Sequence, residues 1–344
     1  MGAWRVTETL SRTGGFGVNI AQRRLLETLQ HFIEVIEDLD SIKPGGKGFV
    51  SSVRVRLLHA SVRRRLMQLE REKPGYFDVD KWGVPINDLH CIGTVSVYST
   101  AIIYMALPRQ GIYLSEQQIT DYLALWRWTG YLLGAPVGWM TTPAKAKAMM
   151  ESVMTMEMGP SQNSRILANN ILTAEARVPP LYAPRELLVA QAYQLNGTVL
   201  ASALGIETPR WYYRVFVWIQ CLVLIFLSYT YPCMPAVAQR DIDRRFRNIV
   251  HHMITDKSVG GIGKPSKFNF QYIPRLGMMT ELGTRDDLAT AEKSAPKRSA
   301  KAVLVVGLMV GVVYLVGVTN LLRAVPHSLL SSMVAEPQVL QSLG

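Results

Sequence analysis

The sequence predicts an all-α protein. Apolar residues recur at helical spacing along most of the first 250 positions, and no stretch shows the alternation of a half-buried strand. Pro- and Gly-rich breaks separate the periodic runs. Residues 17–40, which include VNIAQRRLLETLQHFIEVIEDLD, repeat apolar side chains at Leu25, Leu29, Phe32, Ile33 and Ile36. KPGGKG, ending at Gly48, breaks the chain, and a second helix covers about 50–72 until the Pro-Gly pair at 74–75. WGVPIND, 82–88, reads as an ordered loop entering a helix that runs to about Met105. After PRQG, Ser115 and Gln118 form a capping-box pattern for SEQQITDYLALWRWTGYLLG. Further helical runs occupy about 142–156, 162–176 and 184–204.

Composition narrows the class. Apolar residues make up 49% of the 344 and charged residues only 18%, with a mean hydropathy of +0.12. That is greasy for a soluble enzyme, and the first two hundred residues are too charged for a polytopic membrane protein. A globular body with a membrane attachment fits. The formal charge of +11 suits an anionic membrane surface or an acidic substrate. Nucleic acid is not an expected partner, because no recognised binding motif accompanies the charge. Three cysteines, Cys91, Cys221 and Cys233, make neither a disulfide framework nor a CxxC zinc site.

The N-terminus carries no apolar signal-peptide core, and Val6 stands where a myristoylation motif needs Ser or Thr. AVLVVGLMVGVVYLVGVTNLL, 302–322, has no charge and is long enough to cross a hydrocarbon core of about 30 Å. Lys293, Lys297, Arg298 and Lys301 precede it and only Arg323 follows closely, so the positive-inside rule puts the large body in the cytosol. The run at 215–231 is short for a span and contains Gln220. It is expected to be a buried core helix or an interfacial helix rather than a crossing. The expected organisation is a helical catalytic domain at 1–250, a basic flexible linker at 251–300, a transmembrane helix at 301–322 and a short tail at 323–344.

Two helices carry candidate chemistry. On a wheel of 100° per residue, Val55, Leu58, Val62, Leu66 and Leu69 form an apolar stripe with His59 at its edge. Arg56 and Arg63 lie just beyond His59. An imidazole over an apolar cavity with cations on the rim suits haem, whose iron takes the imidazole and whose propionates can meet arginine. The pattern alone fits at least as well a core-edge histidine with two solvated arginines. On the first long helix Arg24, Thr28 and His31 share the face away from the apolar stripe, with Glu27 beside them; a solvated polar face is the plainer reading. Asp88, His90 and Cys91 complete no metal set, and VGGIGKPS is not a phosphate loop. No GxSxG elbow or zinc-deaminase pattern occurs.

Four stretches in order carry a resemblance. They are Arg24 and Thr28 in an Arg-x-x-x-Thr spacing, RVRLLHASVR at 54–63, DVDKWGVPINDL at 78–89, and YLALWRWTGYLLG from Tyr122 to Gly134. Together, over roughly residues 5–250, the chain resembles the family joining bacterial rubber oxygenases (latex-clearing proteins) with fungal MpaB-type oxygenases bound to the endoplasmic reticulum. The resemblance implies a globin-like all-α core holding haem b, with His59 as proximal iron ligand. It implies that Arg56 and Arg63 hold the ligand helix and offset propionate charge, and that Arg24 and Thr28 lie on the distal side. Glu27 departs from the rubber oxygenases, which have a lysine just before that threonine, and offers a base instead of a donor. The implied function is a membrane-anchored, single-pass haem oxygenase of the endoplasmic reticulum, facing the cytosol. It would use O2 on a hydrophobic prenylated or polyketide-like secondary-metabolite intermediate, by oxidation or cleavage of a C=C bond. The helix bearing Trp126, Trp128 and Tyr131, or the 215–231 helix, would line the substrate pocket. The competing readings are a tethered scaffold without cofactor and a non-oxidative dehydratase or cyclase.

Overall fold

The computed structural model describes residues 1–179, 182–269, 271 and 273–283. In chain order its α-helices are α1 (Trp4–Arg12), α2 (Val18–Ile36), α3 (Lys47–Glu72), α4 (Val79–Trp82), α5 (Asp88–Tyr98), α6 (Leu107–Arg109) and α7 (Glu116–Leu133). There follow α8 (Pro143–Glu157), α9 (Gln162–Glu175), α10 (Arg185–Asn196), α11 (Thr198–Ala203), α12 (Trp211–Thr230) and α13 (Ala236–Thr255). Among the described residues there is no strand, only one isolated bridge between Ala3 and Met158. The all-α expectation holds. α1 and α13 add to the helices that periodicity singled out, and Gly197, at φ +82°, divides the expected 184–204 helix into α10 and α11.

The hairpin of α2 and α3 positions the candidate site, and its glycines make it possible. A Cβ on Gly46 would stand 2.3 Å from the carbonyl oxygens of Asp40 and Ser41, and one on Gly48 would stand 2.6 Å from the Glu34 carbonyl oxygen. Only glycine lets the start of α3 press so closely on the end of α2. Ser41 joins the two helices, its hydroxyl donating to the Glu34 carbonyl and accepting from the Gly48 amide.

The main core lies where α2, α5 and α7 meet. Trp126 is 2% exposed and stacks with Phe32 at 5.9 Å and Tyr98 at 5.5 Å, while Tyr122 donates to the Tyr98 carbonyl at 2.7 Å. Burying such aromatic surface dominates the local energetics. α7 begins with the expected capping box, in which Ser115 accepts from the Gln118 amide and Gln118 accepts from the Ser115 amide. It ends at Gly134, in the left-handed region at φ +81°. A π-helical turn at Ile102–Ala106 follows α5, and the α5 and Ile102–Arg109 axes differ by 42°.

Two sequence expectations are narrowed. Of the core-helix and interfacial-helix readings of 215–231, α12 does not fit the first: Val217, Cys221 and Leu224 pack inward and Gln220 accepts from Gln191, but Trp218 is 70% and Phe226 66% exposed. Its outward face bears Trp211, Val215, Trp218, Leu222, Phe226 and Tyr229, one stripe at helical spacing. Apolar period alone reports that a face is buried somewhere, not that protein buries it. The flexible linker is also revised over the described residues between Asp256 and Gly283, which run as a strap against the body. Gln22 donates to the Gly260 carbonyl, Gln30 pairs with Ser266, Arg65 donates to the Pro274 carbonyl, and Asn170 pairs with Glu281 and Gly283. Backbone groups bonded to fixed side chains lose the freedom that Gly, Ser and Lys composition suggests. The expected transmembrane helix at 301–322 and the tail at 323–344 lie outside the described residues.

Candidate functional site

α2 and α3 bring together residues far apart in the chain. Arg24, Thr28 and His31 lie on one face of α2, one helical turn apart in succession. His59 on α3 sits within electrostatic reach of Arg24, Arg63 and His31. It is deep in the protein and yet keeps some water-accessible surface. Burial is the main cause that lowers its pKa to about 4, with the Arg24 and Arg63 charges adding to it. The imidazole is therefore neutral near pH 7 and its lone pair is free to bind.

His31 has the same character. Burial first, then the neighbouring His59, lowers its pKa to about 4. Its Nδ1 lies 2.9 Å from the Ser51 hydroxyl. Ser51 has acceptors for its own proton in the Gly48 carbonyl at 3.3 Å and in the Glu34 carboxylate. Ser51 then accepts from His31, which places the ring proton on Nδ1 and leaves a lone pair on Nε2. That Nε2 is buried and has no hydrogen-bond partner. A buried, unsatisfied nitrogen beside a second imidazole is what a ligand site leaves when described without its ligand.

The remaining candidates are placed as follows. The Arg24 guanidinium lies over the Phe16 ring at 5.5 Å, and Thr28 donates to the Arg24 carbonyl at 2.8 Å while its side chain stays exposed. Glu27 Oε1 accepts from Arg23 Nε at 3.2 Å and from the Ser266 hydroxyl at 3.2 Å. Arg63 turns to the GVPIN loop, donating from Nε to the Pro85 carbonyl at 3.1 Å and from Nη2 to the Ile86 carbonyl. Ile86 sits at φ +55°, costly for a β-branched residue, and Arg63 helps hold it there. A cleft of about 390 Å³, lined by Arg63, Val84, Asn87, Asp88 and Leu89, opens beside this contact. Arg56 does not join the group at His31: its guanidinium covers Gly134, where a Cβ would meet Nε at 2.8 Å.

The pocket expected from the α7 aromatics is corrected. Trp126 is closed in the core, and Trp128 is tied down by donating to the Ile42 carbonyl at 2.9 Å. Tyr131 is 51% exposed and stacks on Trp128. Exposed apolar side chains also stand on the elements around α3: Leu57 on α3 itself, Val84 and Leu89 at the loop, and Val97 on α5. His90 on α5 is buried, its Nε2 has no partner, and burial with Arg5 lowers its pKa to about 4.

Sequence reasoning missed Ser51 and the strap residues Ser266 and Phe268. It also missed Arg12, whose guanidinium pairs with Glu8 at 2.6 Å and lies 4.3 Å from the Trp82 ring centre. The polar face of α1 (Thr7, Glu8, Ser11, Arg12) was the available signal, and it anchors α1 to α9 through Asn163 and Ser164.

The donor set can be weighed for a metal or cofactor. Among the described residues, no three of His, Cys, Asp and Glu gather into a metal-binding set. A two-His-one-carboxylate iron centre would need such a set. Haem asks less of the protein, since the macrocycle supplies four nitrogens and one side chain supplies an axial bond. A neutral imidazole, cations beside it and an orphaned second imidazole fit that demand.

Neither curated proteins nor solved structures returned a match. A family model described as "ER-bound oxygenase mpaB/B'/Rubber oxygenase, catalytic domain" matches residues 4–221, from the start of α1 into α12. With that match taking in well over half of its residues, the chain belongs to the family of mpaB and rubber oxygenase catalytic domains.

Proposed function

We propose that the protein is a membrane-anchored, haem-dependent oxygenase that oxidises a hydrophobic prenylated or polyketide-like intermediate with O2. The single observation that carries the haem assignment is the neutral His59 imidazole, deep in the fold and within electrostatic reach of Arg24, Arg63 and His31. Membership of an oxygenase family supports the reaction class. Haem b, when bound, supplies the redox chemistry that activates O2.

The chain's own residues bind, orient and shield. His59, kept neutral by burial, would hold the haem iron. Arg24 and Arg63 give the positive field that suits propionates, and Arg63 also fixes the GVPIN loop at the rim. Arg56 holds the end of α7 against α3. Thr28 and Glu27 are the proposed polar groups on the α2 side, with Glu27 as the general base once its Ser266 contact opens. The exposed apolar groups on α3, α5 and the GVPIN loop would receive the substrate chain.

The anchor is part of the proposal. The uncharged run 302–322 would cross the endoplasmic reticulum membrane once, leaving the body in the cytosol. α12, the only helix among the described residues long and apolar enough to span, would lie against the same bilayer with its bare stripe. Its ends carry Trp211 and Tyr212 on one side and Tyr229 on the other, the residues that favour a membrane–water interface.

The test is an absorption spectrum of the purified chain after haem supplementation. A Soret band that His59→Ala abolishes, with helical circular dichroism retained, is the expected result. An unaltered chain that shows no Soret band sinks the haem reading. It would leave the rival, a tethered protein of this fold without cofactor, which the engagement of Arg63 with the loop carbonyls favours.

A further inference from the structure

The strap crosses α2 at the face that bears the candidate site, and it lies wholly beyond the family-matched residues 4–221. Its attachment is specific. Gln30 grips the Ser266 backbone at both ends, donating from Nε2 to the Ser266 carbonyl at 3.2 Å and accepting the Ser266 amide on Oε1 at 2.7 Å. The Ser266 hydroxyl donates to Glu27 at 3.2 Å and accepts the Phe268 amide at 3.1 Å. Gln30 and Ser266 are both buried.

This latch delivers Phe268. Its ring meets His31 edge-on, with centroids 6.1 Å apart and planes at 79°, and the side chain is buried. Its backbone stands at φ +52°, a conformation that an aromatic residue adopts only when its surroundings enforce it. Such strain gathers at clamps and switch segments. On either side of it Lys267 and Asn269 are exposed, so one apolar side chain turns inward from a polar segment.

We propose that Phe268 is a gate and specificity-determining residue, supplied from outside the family domain and latched against His31, beside His59, by Ser266 on Gln30 and Glu27. What passes the gate, an apolar substrate chain, rests on the function proposed above; the gate itself does not. The latch also accounts for Glu27. A carboxylate accepts the Ser266 hydroxyl, whereas a lysine offers no acceptor there.

Access can be read without haem. Diethyl pyrocarbonate modifies neutral imidazoles, and mass spectrometry of the full chain resolves each histidine. In the unaltered protein His31 and His59 should react slowly, with the exposed His251 and His252 as internal references. Phe268→Ala should speed both site histidines about tenfold and leave the references unchanged, while Phe268→Leu should stay near the unaltered rate. Gln30→Ala and Ser266→Gly should also speed both, and should quicken tryptic cleavage after the exposed Lys267 severalfold. Circular dichroism separates opening from unfolding, and the latch variants decide the matter if Phe268→Ala does not fold. Unchanged rates at His31 and His59 in the folded variants would overturn the gate. A missing Soret band would overturn the haem reading alone.

Discussion

His31 owes its state to two side chains on the α2–α3 hairpin, Ser51 and Glu34. In 15N-resolved NMR of the haem-free chain near neutral pH, His31 should show a protonated Nδ1 and a bare Nε2, and Ser51→Ala should remove the preference. A protonated Nε2 would contradict the hydrogen-bond order derived for this site. Glu175, at the end of α9, makes a second prediction at this scale. Burial without a partner for Oε1 raises its pKa to about 7. The folded state then holds a proton that the unfolded chain releases near 4.5, so stability falls as pH rises from about 4.5 to about 7. The slope is at most about 1 kcal/mol per pH unit. Glu175→Gln should flatten it in urea titrations over that window. His90, depressed to about 4, acts in the opposite sense and loses stability as pH falls below about 6.5.

Helix ends and turns decide how well the α2–α3–α7 frame closes. Gly46→Ala forces a Cβ against two backbone carbonyls at 2.3 Å and should destabilise the protein by about 3 kcal/mol, seen as a lower urea midpoint. Gly134→Ala combines a left-handed backbone with a clash on Arg56 and should cost about 1–2 kcal/mol. If either variant is as stable as the parent, the close approach of these helices is wrong. The element-level reading from sequence was largely sufficient for α2, α3 and α7, since each shows its period and breaks within its own residues, and α7 its capping box too. It did not distinguish the inward from the outward face of α12, because both faces are apolar. Nor did it show that KPGGKG is a corner requiring glycine rather than a loose break, because that depends on which carbonyls lie opposite.

For the molecule as a whole, membrane attachment is proposed to have two parts, the 302–322 run and the outer stripe of α12. The chain without residues 302–322 should still pellet in part with membrane vesicles. Adding Trp218→Ser, Leu222→Ser and Phe226→Ser should release most of it to the supernatant while circular dichroism stays unchanged. Full release on deleting 302–322 alone would assign the stripe on α12 to some other contact.

The sequence alone determined the all-α class, most helix boundaries and the family's motif order. It also put Arg24, Thr28 and His31 on one face of α2 and His59 at the edge of another stripe. These follow from backbone periodicity and capping, which are properties of neighbouring residues. Tertiary structure decided which faces meet. It set His31 against Ser51, turned Arg63 to the GVPIN loop, closed Trp126 into the core and carried Ser266 across 236 positions to Gln30. No local period encodes those pairings, because they depend on how distant helices pack and where a strap without regular structure finds its hydrogen-bond partners.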